Sequence, residues 1–187
     1  YEVHGIVRRN STPEHQSSRL DQNLPNLYTH YGDLLDISSL NKVILEVNPD
    51  EIYNLAAQSH VRISFDIPQF TAQTNAVGVL NMLEAFRQSA PNAKFYQASS
   101  SEMFGSSVDD DGYQRETTPF NPVSPYGCSK VFGYNICRNY RNAYGLHIVN
   151  GILFNHESPR RGPNFVTKKI ISGLLRIKND KQKYLTL

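Results

Sequence analysis

The chain has 187 residues, with 19 basic and 17 acidic side chains and a net charge of +2, a length that prescribes one domain with a real core. Basic residues are scattered apart from Arg8-Arg9, Arg160-Arg161 and Lys168-Lys169, too few and too dispersed for a nucleic-acid surface. The longest apolar runs fall far short of a membrane span.

In chain order, residues 2–7 read as a strand that enters a polar loop lasting to about residue 25. Residues 27–31 form a short second strand ending at Gly32-Asp33-Leu34. Asp36 caps a helix whose Leu40, Val43, Ile44 and Val47 follow the helical period, and Pro49-Asp50 ends it. Residues 51–56 are the next strand. After Pro68 comes a longer helix with Val79, Leu80, Leu83 and Phe86 on one face. Residues 94–98 are a strand feeding Ser99-Ser100-Ser101-Glu102, followed by a loop rich in Asp, Gly and Pro over about 105–123. Ser124 is an N-cap, Pro125 suits the first helical position, and this helix runs to Gly145 at its C-terminal cap. Residues 147–154 are a buried strand, Asn164 opens a helix to about 178, and residues 183–187 read as a strand. Strands alternating with helices predict an α/β fold: a doubly wound, Rossmann-like parallel sheet covered on both faces.

Cys128 and Cys137 lie in one predicted helix, about 13 Å apart along its axis, too far to bridge. Two free thiols point to a reducing compartment, the cytoplasm. The histidines are dispersed, and His156-Glu157 lacks the second histidine of a helical zinc pair; no metal site is expected.

The chemistry concentrates at Ser124-Pro125-Tyr126-Gly127-Cys128-Ser129-Lys130. A free phenol, with a pKa of about 10, is ionised in roughly one molecule per thousand at neutral pH. A lysine four residues on lies one helical turn away, where its charge is expected to lower the tyrosine's pKa. The pair reads as a base that takes a proton from an alcohol. Ser100 and Glu102, after a strand, stand where α/β enzymes place their chemistry. The other strand ends carry Arg8-Arg9-Asn10, Asp33-Leu34, Leu55-Ala56-Ala57-Gln58-Ser59 and Asn155-His156, the pattern of a long ligand lying across the sheet edge. Two arginines after the first strand suit a phosphate better than free ribose hydroxyls, which call for an acidic residue.

These residues resemble the extended short-chain dehydrogenase/reductase family and, within it, the GDP-mannose 4,6-dehydratases. The likeness runs nearly end to end. It is carried by His4-Gly5-Ile6-Val7-Arg8-Arg9, Tyr31-Gly32-Asp33-Leu34, the run from Ile52 to Val61 and, most specifically, the run from Asn150 to Gly162. The resemblance implies NADP as cofactor, GDP-mannose as substrate and association into a homo-oligomer, a dimer or tetramer. It implies Tyr126 as base with Lys130 as helper, Ser100 as hydroxyl donor in place of the family's threonine, and Glu102 as the acid/base of elimination. Serine lacks the threonine methyl that restricts rotation, so a less rigid aim is expected. Cofactor contacts carried over are Arg8, Arg9, Asn10, Asp33, Leu34, Leu55, Ala56, Ala57, Gln58, Ser59, Phe70, Lys130, His156 and Arg161. Phe70 replaces a frequent tyrosine and loses one hydrogen bond. Asn155, Asn164 and Lys169 fall where the family holds GDP.

The family opens with a strand and a glycine-rich turn that cradles the cofactor pyrophosphate, and this sequence has no Gly-x-x-Gly-x-x-Gly. It also starts at Tyr1 and closes on the expected terminal strand. The expectation is an internal piece: residues 1–162 as a cofactor-binding domain without its first strand, and 163–187 as the start of a nucleotide-sugar domain, inactive by itself. The alternatives are a related nucleotide-sugar epimerase or reductase, which would share Tyr126 and Lys130, and a non-catalytic remnant.

Overall fold

The computed structural model describes residues 1–9 and 25–185; Asn10 and residues 186–187, named above, lie outside the described residues. The chain gathers into two compact units, Tyr1–Phe154 and Asn155–Leu187.

In the first unit, β1 (Val3–Val7) runs parallel to β2 (Leu27–Tyr31), with Val3 beside Leu27 and Val7 beside Tyr31. A second parallel sheet has the order β3 (Glu51–Asn54), β4 (Lys94–Ser100), β5 (Ile148–Leu153). The five strands therefore form two sheets, and one edge each of β1 and β3 has no strand partner among the described residues.

Residues level with one another in parallel strands share a face. Ile52, Phe95 and Ile148 are level and buried. They meet Leu40 and Ile44 of α1 (Ile37–Val47), Val79, Leu83 and Phe86 of α4 (Gly78–Ser89), and Cys137 of α5 (Pro125–Tyr144) in one core. Each fully buried Leu or Phe there contributes about 1.5–3 kcal/mol. On the opposite face, Tyr53 and Val149 are 61 % and 43 % exposed. The α/β Rossmann-like architecture is as read, but the described helices that build this core all lie on one face of the sheet, not on both.

The caps follow local chemistry. The Asp36 carboxylate accepts the Ser38 and Ser39 N–H groups, and α1 ends at Asn48 in the left-handed region. Ser124 Oγ accepts the Gly127 N–H at 3.0 Å, and α5 stops at Gly145 with φ 67°.

Three elements differ from expectation. A short helix α2 (Val61–Asp66), capped by the His60 ring, occupies a stretch to which no element was assigned. The long helix after Pro68 is α3 (Pro68–Ala72), a wider π-helical turn (Gln73–Val77), then α4. β4 reaches Ser100, because Ser99 and Ser100 pair with Ile152 and Leu153 of β5.

In the second unit, α6 (Val166–Lys178) begins after Phe165 without a side-chain cap, so Asn164 does not open it. Residues 183–185 are not in a strand. Among the described residues no helix is long and apolar enough to cross a membrane.

Candidate active site

The end of β4, the turn after it and the first turn of α5 meet at one point. A 3-10 turn (Ser101–Met103) follows β4 and carries Glu102. Ser100 Oγ caps that turn, accepting the Glu102 N–H at 3.2 Å, and the same hydroxyl hydrogen-bonds the Tyr126 phenol.

Tyr126 is 8 % exposed. Its backbone N–H donates to Ser64 Oγ at 3.2 Å, and that fully buried hydroxyl in turn donates to the Val61 carbonyl at 2.6 Å. The next residue, Gly127, sits so close to the turn that a Cβ there would lie 2.7 Å from the Glu102 carbonyl oxygen. Helix α2 and the turn that carries Glu102 therefore clamp the start of α5 from two sides.

Lys130, one turn along, is 5 % exposed, and its Nζ donates to the Ala98 carbonyl at 2.8 Å, 5.6 Å from the centre of the Tyr126 ring. Burial pulls its ammonium down to about 8. Tyr126 moves against expectation: burial first, and then the charge of Glu102, push its phenol up, opposed only by the Ser100 hydrogen bond. The lysine is engaged by a backbone carbonyl and is itself desolvated, so its charge does not offset burial of the phenol. Among the described residues no hydrogen bond or ion pair engages the Glu102 carboxylate, which leaves it available to a substrate.

The other strand ends present their residues separately. Arg8 and Arg9 are exposed, with the Arg9 guanidinium 4.4 Å above the Tyr31 ring. The Asp33 carboxylate accepts the Leu35 N–H at 2.9 Å, and the Leu34 carbonyl accepts Asn81 Nδ2 at 2.8 Å. Leu55, Ala56 and Ser59 are exposed, Ala57 partly so, and Phe70 is 39 % exposed on α3. Gln58 is held on both sides of its backbone by Asn75, with N–H to Oδ1 at 2.8 Å and Nδ2 to carbonyl at 2.9 Å. Its side-chain amide reaches Thr71 Oγ1 at 3.1 Å. Asn75, 1 % exposed on the π-helical turn, is a site-building residue that sequence reading missed; its one signal is an asparagine inside an apolar helical run.

Asn155, His156, Arg161, Asn164 and Lys169 belong to the second unit. There the Arg161 guanidinium lies 3.6 Å above the Phe165 ring, with Nε 3.6 Å from Glu157 and no hydrogen-bond partner. Asn155, His156 and Asn164 are exposed. Lys169 lines a cavity of about 540 Å³ with Arg176, Gln182, Lys183, Tyr184 and Leu185. Among the described residues no cluster of ligands could hold a metal.

A family model described as GDP-mannose 4,6 dehydratase matches residues 1–187. The chain belongs to this family. It is 49 % identical over 197 residues to a GDP-mannose 4,6 dehydratase of Drosophila melanogaster, covering 100 % of this chain and 49 % of the relative. The chain spans about half the length of the curated relatives it matches. Among solved structures, dTDP-glucose 4,6-dehydratase DesIV of Streptomyces venezuelae with NAD and TYD bound superposes with a TM-score of 0.79 at 26 % identity, covering 94 % of this chain and 53 % of that one. RMD of Pseudomonas aeruginosa, complexed with NADPH, gives 0.75 at 28 % identity, covering 84 % and 53 %.

Proposed function

We propose that the full-length protein converts GDP-mannose to GDP-4-keto-6-deoxymannose by an NADP-dependent internal redox dehydration. The observation that carries this reading is the convergence of Tyr126, Ser100 and an unpaired Glu102 carboxylate at one strand end. A simple dehydrogenase or epimerase needs the first two but has no task for an acid/base at the third place.

The residues fit a dinucleotide. The loop from Leu55 to Ser59 is held with its chain exposed at the strand ends, and Arg9, pre-aligned on Tyr31, suits a 2′-phosphate. Asp33, Leu34, Gln58, Phe70 and Lys130 would complete the first unit's share; His156 and Arg161, of the second unit, are proposed cofactor contacts on the family resemblance alone. One structural neighbour is complexed with NADPH and another with NAD, so the preference for NADP rests on this chain's own arginines. When bound, NADP supplies the hydride sink for carbon 4 and the hydride source for carbon 6.

The chain's groups do the rest. Tyr126 takes the proton of the sugar's 4-hydroxyl, and Ser100 hydrogen-bonds that oxygen as charge develops on it. The ketone at carbon 4 acidifies the carbon 5 proton, which Glu102 removes. Glu102, now protonated, returns that proton to the departing 6-hydroxyl, which leaves as water; once carbon 6 has regained hydride, the proton held by Tyr126 goes to carbon 5, which completes the product and restores the base. Asn155, Asn164 and Lys169 hold the nucleotide end.

The test follows substrate deuterated at carbon 4 through the full-length protein. The label is expected at carbon 6 of the product; turnover without that transfer overturns the reading. Titration with both cofactors should show tighter binding of NADP, and equal or tighter NAD binding would sink the arginine assignment.

A further inference from the structure

Three amides lie level across the second sheet: Asn54 on β3, Gln97 on β4 and Asn150 on β5. Asn54 and Gln97 are 4 % and 1 % exposed, on the face that packs against the helices. An apolar side chain would fill either position without the cost of burying an amide. Asn150 has its own task, accepting from Ser99 Oγ at 3.2 Å and donating to the Tyr134 carbonyl of α5 at 3.3 Å.

The other two form a chain that ends at the active site. Asn54 Nδ2 donates to Gln97 Oε1 at 2.8 Å, and Gln97 Nε2 donates to the Ala98 carbonyl at 3.1 Å. That same carbonyl is the acceptor for Lys130 Nζ at 2.8 Å. A carbonyl oxygen has two lone pairs, and here the amide pair takes one and the ammonium the other. Each donor in such a chain polarises the next, so Gln97 withdraws acceptor strength from the oxygen that holds the lysine.

We infer that Asn54 and Gln97 are positioning residues for Lys130, acting through the Ala98 carbonyl: they fix where that oxygen points and weaken its hold on the ammonium, so that Lys130 can be released to a ligand beside Tyr126. The inference rests on the dehydratase reading for its catalytic meaning but not for its geometry. Among the described residues, the titratable groups at this point of the site are Tyr126 of α5, its ring centre 5.6 Å from Nζ, and Glu102 of the turn after β4, whose charge acts on the Tyr126 phenol. Neither is among the causes acting on the ammonium, which responds to burial alone.

The test uses full-length protein labelled with 15N-lysine, with the Lys130 signal assigned by its loss in Lys130→Arg. Gln97→Met keeps the volume and removes the donor. The Ala98 oxygen then serves Lys130 alone, the ammonium is favoured, and its titration midpoint should rise from about 8 by about half to one pH unit. The basic limb of the kcat/KM profile should move upward in parallel. Asn54→Leu, which leaves Gln97 in place without its anchor, should give a smaller rise and serves if Gln97→Met does not fold. A purely structural role would lower stability and leave the midpoint where it is, and an unchanged midpoint in both variants overturns the inference. Lys130→Met separates the two readings. Undiminished label transfer in that variant would defeat the catalytic assignment of Lys130 while leaving the titration result standing.

Discussion

Helix α5 carries two buried tyrosines, one near each end, and they are wired in opposite ways. Tyr140, 7 % exposed, donates to Glu84 Oε1 of α4 at 2.6 Å, and that carboxylate is also gripped by Arg87 through two nitrogens at 3.1 and 2.8 Å. Burial and the Glu84 hydrogen bond push Tyr140 up to about 12. Tyr126 is as buried, yet its phenol hydrogen-bonds the Ser100 hydroxyl and feels the charge of an uncommitted Glu102 carboxylate, with no carboxylate as hydrogen-bond partner. A phenol already donating to a neutralised carboxylate is a fastener. One whose neighbours keep spare capacity can still pass its proton on. Both are raised tyrosines on one helix, and only their partners separate structure from chemistry.

The comparison breaks most sharply at Tyr126→Phe in the full-length protein. Dehydration of GDP-mannose should fall about 100- to 10,000-fold, with neither oxidation at carbon 4 nor elimination detected, whereas Tyr140→Phe should keep its rate. Equal losses in the two variants would erase the distinction. Glu102→Gln should cost a similar factor in transfer of deuterium from carbon 4 to carbon 6 while still allowing oxidation at carbon 4. Near-normal label transfer in Glu102→Gln removes the main support for the dehydratase reading. Gly127→Ala comes next: its methyl must displace the Glu102 carbonyl, and a shift of that kind should lower kcat by about tenfold to a hundredfold with KM little changed.

The smallest effects belong to the fastener. Tyr140→Phe should lower the unfolding free energy by about 1–2 kcal/mol in urea. The Glu84 carboxyl sits at about 2, against an ordinary 4.5, because Arg87 and then Tyr140 donate to it. Its contribution is therefore complete above pH 4.5 and fades as the pH falls toward 2. Urea melts of Glu84→Gln and its parent should differ at about pH 6 and converge by about pH 2; a gap independent of pH would show that the carboxylate's charge adds nothing.

What could be read from the sequence was what neighbours in the chain decide. Asp36, Ser124 and Gly145 cap helices through groups within a few residues, and all three were legible. The spacing of Tyr126 and Lys130 placed both on one helical surface. It could not show that a carbonyl 32 residues away, at Ala98, holds the lysine, and so the direction of the Tyr126 shift was misjudged. Helix α2 was missed because six residues capped by a histidine ring carry neither a usual cap nor a helical period. Ser64, Gln97 and Asn75 were missed for a related reason: each is an ordinary polar residue whose partner lies on another element.

The π-helical turn at Gln73–Val77 solves a problem of phase. Thr71, Asn75, Val79 and Leu83 recur every fourth residue, and all are at most 2 % exposed. In an ideal α-helix each such step drifts about 40° around the axis, so Leu83 would end about 120° away from Thr71. A turn wound more widely absorbs part of that drift. One stripe can then grip the Gln58 loop with its first two members and enter the apolar core with its last two. Deleting a single residue, such as Ala76, would throw the two halves out of step by about 100°, turning either the loop clamp or the core face toward solvent. Four-residue spacing of buried positions is thus a trace of helical timing in the sequence itself.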